Sequence, residues 1–200
     1  MKLYIDPGTG SMLFAVLIGI IGAVAYVFKE WAVKLKFLLT GGKKADTNTE
    51  KIPIVIFSDD KRYWSVFKPI CEEMNSRGID VVYMTASKDD PAFDENLQHL
   101  DAQFIGEGNR AFSKLNFLNA TMLISTTPGL DVFQWKRSKN VDYYVHVLHA
   151  ASNTCGYHMF GIDYYDAVLI SGNHHERDIR ALEKIRNLPA KELVMVGVPY

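Results

Sequence analysis

The chain is short of cysteine and carries no excess of charge. Cys71 and Cys155 are its two cysteines in 200 residues, far apart and without a CxxC spacing, so neither a disulfide framework nor a zinc ribbon is indicated. Both fit a reducing compartment, where buried cysteine serves as a small apolar side chain. Lys and Arg number 22 against 23 Asp and Glu, a net charge of −1. With no basic excess, no nucleic-acid partner is expected. The chain also has no GxGxxG after its first strand-like run, no P-loop, no HExxH, no internal repeat and no low-complexity tract. A dinucleotide fingerprint is therefore absent, and no cofactor and no metal are expected.

Charge is missing altogether from one stretch, Gly8 to Phe28 (GTGSMLFAVLIGIIGAVAYVF). About 20 helical residues, at roughly 1.5 Å each, cross a hydrocarbon core of about 30 Å. Tyr26 and Trp31 lie where an aromatic belt forms, and Lys29, Lys34, Lys36, Lys43 and Lys44 follow the apolar run. A signal peptide places its basic residues before the run, whereas here Lys2 is offset by Asp6. The order predicts an uncleaved anchor with the rest of the chain in the cytoplasm. An interfacial helix would need a polar face, which this run lacks. The next segment, KEWAVKLKFLLT, reads either as a basic amphipathic stretch on anionic headgroups or as a continuation of the anchor with snorkelling lysines. The expected organisation is an anchor and basic juxtamembrane segment over 1–40, a polar linker over 41–51 and a soluble domain over 52–200.

Within that domain short apolar runs alternate with helical patterns. Strands are predicted at 52–58, 79–85, 102–106, 120–126, 142–149, 165–171 and 192–197, and helices at 61–78, 91–100, 109–119 and 173–187. Pro69 counts against an unbroken first helix. Because the strands are apolar rather than alternating, the pattern predicts an α/β fold: a Rossmann-like, doubly wound parallel sheet covered on both faces.

In such sheets a ligand binds beyond the carboxyl ends of the strands. Those ends carry Ser58-Asp59-Asp60, Thr126-Thr127-Pro128-Gly129, and His149 followed by Ala150-Ala151-Ser152. Such residues suit a polar ligand, yet they are also ordinary capping and turn formers. The candidate binding residues are Ser58, Asp59, Thr126, Thr127, Gly129 and Ser152. The stretch from Tyr143 to Ser171 holds three of the six histidines, His146, His149 and His158. Histidine is the side chain best poised for proton transfer near neutrality. On spacing alone His149 is either a base at a strand end or a satisfied polar residue at the sheet edge. His146 reads as a packed strand residue, His158 as a loop residue, and His174-His175 as the solvated first turn of a helix.

The stretches YIDPGTGSMLF, VIFSDDKRYWSVFKPICEEM, STTPGLDVFQWKRS, VLHAAS and YYDAVLISG resemble the CDP-glycerol glycerophosphotransferase family, in particular a bacterial branch with an N-terminal anchor. Its better-known members are teichoic-acid primases and polymerases. The similarity runs through residues 3–200. It implies a GT-B-like arrangement of two Rossmann-like domains, this chain supplying the N-terminal, acceptor-side half. VGVPY at 196–200 looks like the turn into the second, donor-binding domain. The family's first catalytic histidine sits in a Trp-His-Gly-Thr-Pro box, and His149 is the position that aligns with it. Here Leu148 precedes the histidine and Ala-Ala-Ser follows, a departure that bears on substrate identity. The implied partners are a CDP-glycerol-like donor, a lipid-linked acceptor and the membrane.

Two other readings stand beside this transferase. Asp59-Asp60 is similar to the acidic pair of receiver domains, but the third strand offers only Glu107 where a receiver needs its phosphorylated aspartate. A non-catalytic, membrane-anchored scaffold in polymer synthesis is the alternative from a different class.

Overall fold

The computed structural model describes residues 50–150, 152, 154 and 157–198. The expected anchor over 1–40 and nearly all of the 41–51 linker lie outside them, as does Cys155. No helix among the described residues is long and apolar enough to cross a membrane.

The domain is a Rossmann-like α/β fold. Its strands are β1 (Ile52–Ser58), β2 (Val81–Thr85), β3 (Leu100–Phe104), β4 (Asn119–Ser125), β5 (Asn140–Val147), β6 (Ala167–Ile170) and β7 (Glu192–Met195). They form one sheet in the order β3-β2-β1-β4-β5-β6-β7, and every pairing is parallel. Three helices connect them: α1 (Trp64–Ser76), α2 (Asn109–Leu115) and α3 (Asn173–Arg186).

Strand alternation sorts the core into two layers. Ile56, Ile124, Val145 and Val147 pack with Trp64, Phe67 and Cys71 of α1. Val55, Phe57, Leu123 and Tyr144 pack on the opposite face with Ala111 and Leu115 of α2 and with Trp135. Cys71 is free and buried, and burial pushes its thiol up to about 12, as suits a cysteine used for packing.

Coverage of the faces is less complete than the pattern predicts. The α1 face leaves a groove of about 460 Å³ between Pro69, Ile70 and Met74 and the sheet residues Ile124, Val147 and Leu169. The 91–100 helix is also corrected. It is one 3₁₀ turn, Pro91–Asp94, capped by Asp90, whose carboxylate accepts from the Ala92 N–H at 3.0 Å. Ala92 is its one buried residue, too little apolar surface to hold a longer helix against the sheet. Conversely α1 runs straight through Pro69. Pro69 cannot bond the Ser65 carbonyl, but both residues are exposed and water can satisfy that oxygen.

Candidate functional site

The strand order reverses direction between β1 and β4, so their carboxyl ends diverge there and leave the crevice where such folds place a ligand. At this point the cap-like residues separate into two groups. Some are already engaged by the backbone or side chains of the protein. Ser58 is fully buried and donates to the Asp60 carbonyl at 2.8 Å. Asp60 accepts from the Arg62 N–H and Nε, both at 2.9 Å. Gly129 adopts a φ of +91°, and its N–H donates to the Gly161 carbonyl at 2.7 Å.

Thr126 and Thr127 are buried, the Thr126 hydroxyl without a hydrogen-bond partner and the Thr127 side chain against the Asp59 carboxyl. Their backbone is nonetheless held: the Thr127 N–H donates to Ser125 Oγ at 3.0 Å, and Tyr165 donates its phenol to the Thr127 carbonyl at 2.6 Å. A buried unpaired hydroxyl on a fixed backbone is costly unless a ligand or water completes it.

Thr126 lines a cavity of about 260 Å³ with Tyr63, Pro128, His149, Ser152, Tyr157 and His158. Three elements deliver these groups. Tyr63 ends the 3₁₀ turn Lys61–Tyr63 after β1, and its ring meets the edge of His149 at 4.9 Å. Leu148 is anchored in a small core with Ile162, Val168, Ile170 and Ile179, and its N–H makes the last bond to β6, to the Leu169 carbonyl at 3.1 Å. His149 follows at once, half-buried, with Nδ1 unpartnered.

Burial holds the His149 imidazole below its ordinary pKa, and the charge of Asp59 pulls it partly back. Asp59 is exposed. The protein around it raises its carboxyl above the usual range, against the pull of Thr127 and of its own backbone N–H; access to water damps that rise. The result at neutral pH is an uncharged imidazole with a carboxylate nearby.

His146 is fully buried, as its strand position predicts. Its ring packs 4.8 Å from Tyr165, and Nε2 lies 3.2 Å from the Tyr157 hydroxyl. Burial takes it down to about 3, with His149 a smaller repulsive cause. Three residues apart on a strand would put the two histidines on opposite faces, but β5 ends at Val147 and that constraint ends with it. His158 is an exposed loop residue.

His175 corrects the reading of a solvated helical turn. It is fully buried, with Nδ1 3.1 Å from Ser171 Oγ and Nε2 2.6 Å from the Ser152 carbonyl. It thereby ties the segment after His149 to the end of β6. Tyr63 and His175 carried no signal in sequence, because each joins the site from a distant element, and Tyr157 carried none because its position in the loop after β5 has no pattern.

The β4 and β5 loops meet at Gly161. A β carbon there would sit 2.9 Å from the His158 carbonyl oxygen and 3.2 Å from Pro128 Cβ. Gly161→Ala is expected to cost about 1–3 kcal/mol, the range for overpacking, measured as a lowered urea midpoint. An unchanged midpoint would show that the loops separate without penalty.

No family model, no curated protein and no solved structure matches the chain. The geometry thus defines a class of protein, a Rossmann-like α/β domain with a histidine-lined cavity at its topological switch point.

Proposed function

We propose that this chain is the acceptor-side half of a membrane-tethered transferase. It moves glycerol-phosphate, or a related polyol-phosphate, from a CDP-activated donor to a hydroxyl of a membrane-linked acceptor. The single observation that carries the reading is His149, an uncharged imidazole that lines a switch-point cavity together with Thr126, whose buried hydroxyl is unpaired. The sequence resemblance supplies the donor class. A GT-B arrangement, an N-terminal anchor and a cytoplasmic domain belong to the same reading.

In the proposed step His149 takes the proton of the acceptor hydroxyl as its oxygen attacks the β-phosphorus of CDP-glycerol. The bond from that phosphorus to the bridging oxygen breaks, and CMP leaves with the electron pair. In-line transfer of this kind needs placement and charge stabilisation rather than a covalent intermediate. Thr126 offers a hydroxyl donor for a phosphate oxygen, which would satisfy what its burial leaves unpaired.

The test is release of labelled CMP from CDP-glycerol and other CDP-alcohols by the longest native form of the protein, with membranes added. Release that depends on the membrane fraction is the expected result. No release from any CDP-alcohol would overturn the reading and favour a scaffold.

A further inference from the structure

His175 takes no part in the proposed step, yet it is fully buried and both of its ring nitrogens are engaged. It lies in the first turn of α3. The role of each nitrogen follows from its partner. The Ser171 N–H can only donate, and it meets Nδ1 at 3.3 Å, so Nδ1 presents its lone pair. The Ser171 hydroxyl, 3.1 Å from the same nitrogen, can rotate to donate there too. The ring proton is left to Nε2, which donates to the Ser152 carbonyl at 2.6 Å.

Ser152 lines the same cavity as His149. Leu148, on the other side of His149 in the chain, donates its N–H to the Leu169 carbonyl at 3.1 Å. Leu169 belongs to β6, and Ser171 follows the last residue of that strand. The backbone that carries His149 is therefore tied to β6 on both sides, once by Leu148 and once through His175. The His149 ring adds no bond of its own at Nδ1, and its edge contact with Tyr63 orients the ring without holding the backbone. We infer that His175 is the positioning residue of this site: by holding the Ser152 carbonyl it sets where the His149 imidazole stands. Its effect on rate rests on the transferase reading; its effect on the His149 ring does not. A rigid ring suits the task. It accepts on one edge and donates on the other, and losing either bond leaves a buried polar atom unpaired.

The test uses the full chain in phosphatidylcholine nanodiscs, with isotope-labelled histidine. Proton–nitrogen correlation spectra of the unaltered protein are expected to show the His175 proton on Nε2. A proton on Nδ1 would overturn the inference, whatever the variants do. His175→Gln carries an amide nitrogen out to the place of Nε2 and keeps a donor for Ser152. His175→Asn reaches only as far as Nδ1 and keeps the Ser171 bond alone. The asparagine variant is expected to lower kcat for CMP release about 10²-fold, the cost of misplacing a reacting group by about 1 Å. KM should barely move, because the base acts only in the transition state. The His149 ring resonances should shift in the same variant. The glutamine variant is expected to keep most of the release and the original resonances. Equal losses in both variants, or none in either, would remove His175 from this role. If no CDP-alcohol is turned over at all, the transferase reading falls and the His149 resonances still decide: moved by asparagine and restored by glutamine they uphold the inference, and unmoved in both they sink it.

Discussion

Replacing His149 with alanine is expected to lower CMP release by about 10²–10⁴-fold, the usual contribution of a positioned general base. Folding should survive, because the side chain lies beyond the end of β5 and is half-exposed at the cavity wall. Its neighbour Leu148, which is buried in a core cluster, carries the packing. The pH profile adds a readout that a structural role would not move. Burial lowers the His149 pKa and Asp59 opposes it, so the base stays deprotonated down to a pH below the ordinary histidine value of about 6.5. The acid limb of the rate should therefore fall below that pH. Asp59→Asn removes the opposing charge and should move the limb lower still. A limb that stays in place in Asp59→Asn, or an alanine variant with full release, would remove His149 from the chemistry.

Most of the sheet was legible because buried parallel strands declare themselves as short apolar runs. Ile52–Ser58 is placed to the residue, and the other strands fall within a few residues of their expected positions. Errors arose where a local pattern did not determine a tertiary outcome. The PAFDENLQHL stretch opens with a helix-favouring proline, yet only Ala92 is buried in its first turn, so no packing extends it. His174 and His175 look alike in sequence, but the fold draws His175 under the loop at Ser152.

The candidate site was legible only as a set of turn residues at strand ends. Ser58 and Asp60 are occupied in their own turns and Gly129 by Gly161 of another loop, while the Thr126 hydroxyl is unpaired. The same residue types serve both purposes. What separates them is whether a partner lies within reach, and Tyr165, which fixes the Thr127 carbonyl, comes from elsewhere in the chain.

Acid should destabilise this domain well before its carboxylates titrate, and His146 is the cause. The folded-state pKa is about 3, against about 6.5 for an unfolded chain. Between those values the unfolded state binds a proton that the folded state refuses. Stability is therefore full above pH 6.5 and is lost as pH falls toward 3. The loss approaches about 1.4 kcal/mol per pH unit, with an upper bound of about 5 kcal/mol, a large share of the 5–15 kcal/mol typical of a domain. The groups around the ring do not rescue the charged form. Tyr157 and Tyr165 are held neutral by burial, and His149 repels it. Urea midpoints between pH 6.5 and 4.5 read the effect, since Asp60, lowered by the Arg62 N–H and guanidinium, and Asp89 and Glu95, lowered by their lysine partners, give way only at lower pH. The raised Asp59 carboxyl opposes it in that window. His146→Leu should flatten most of the slope in that window, leaving the smaller part from His149, which is depressed in the same direction. An unchanged slope in the leucine variant would mean that His146 takes up its proton in the folded state, through water entering along Tyr157 from the cavity that tyrosine lines.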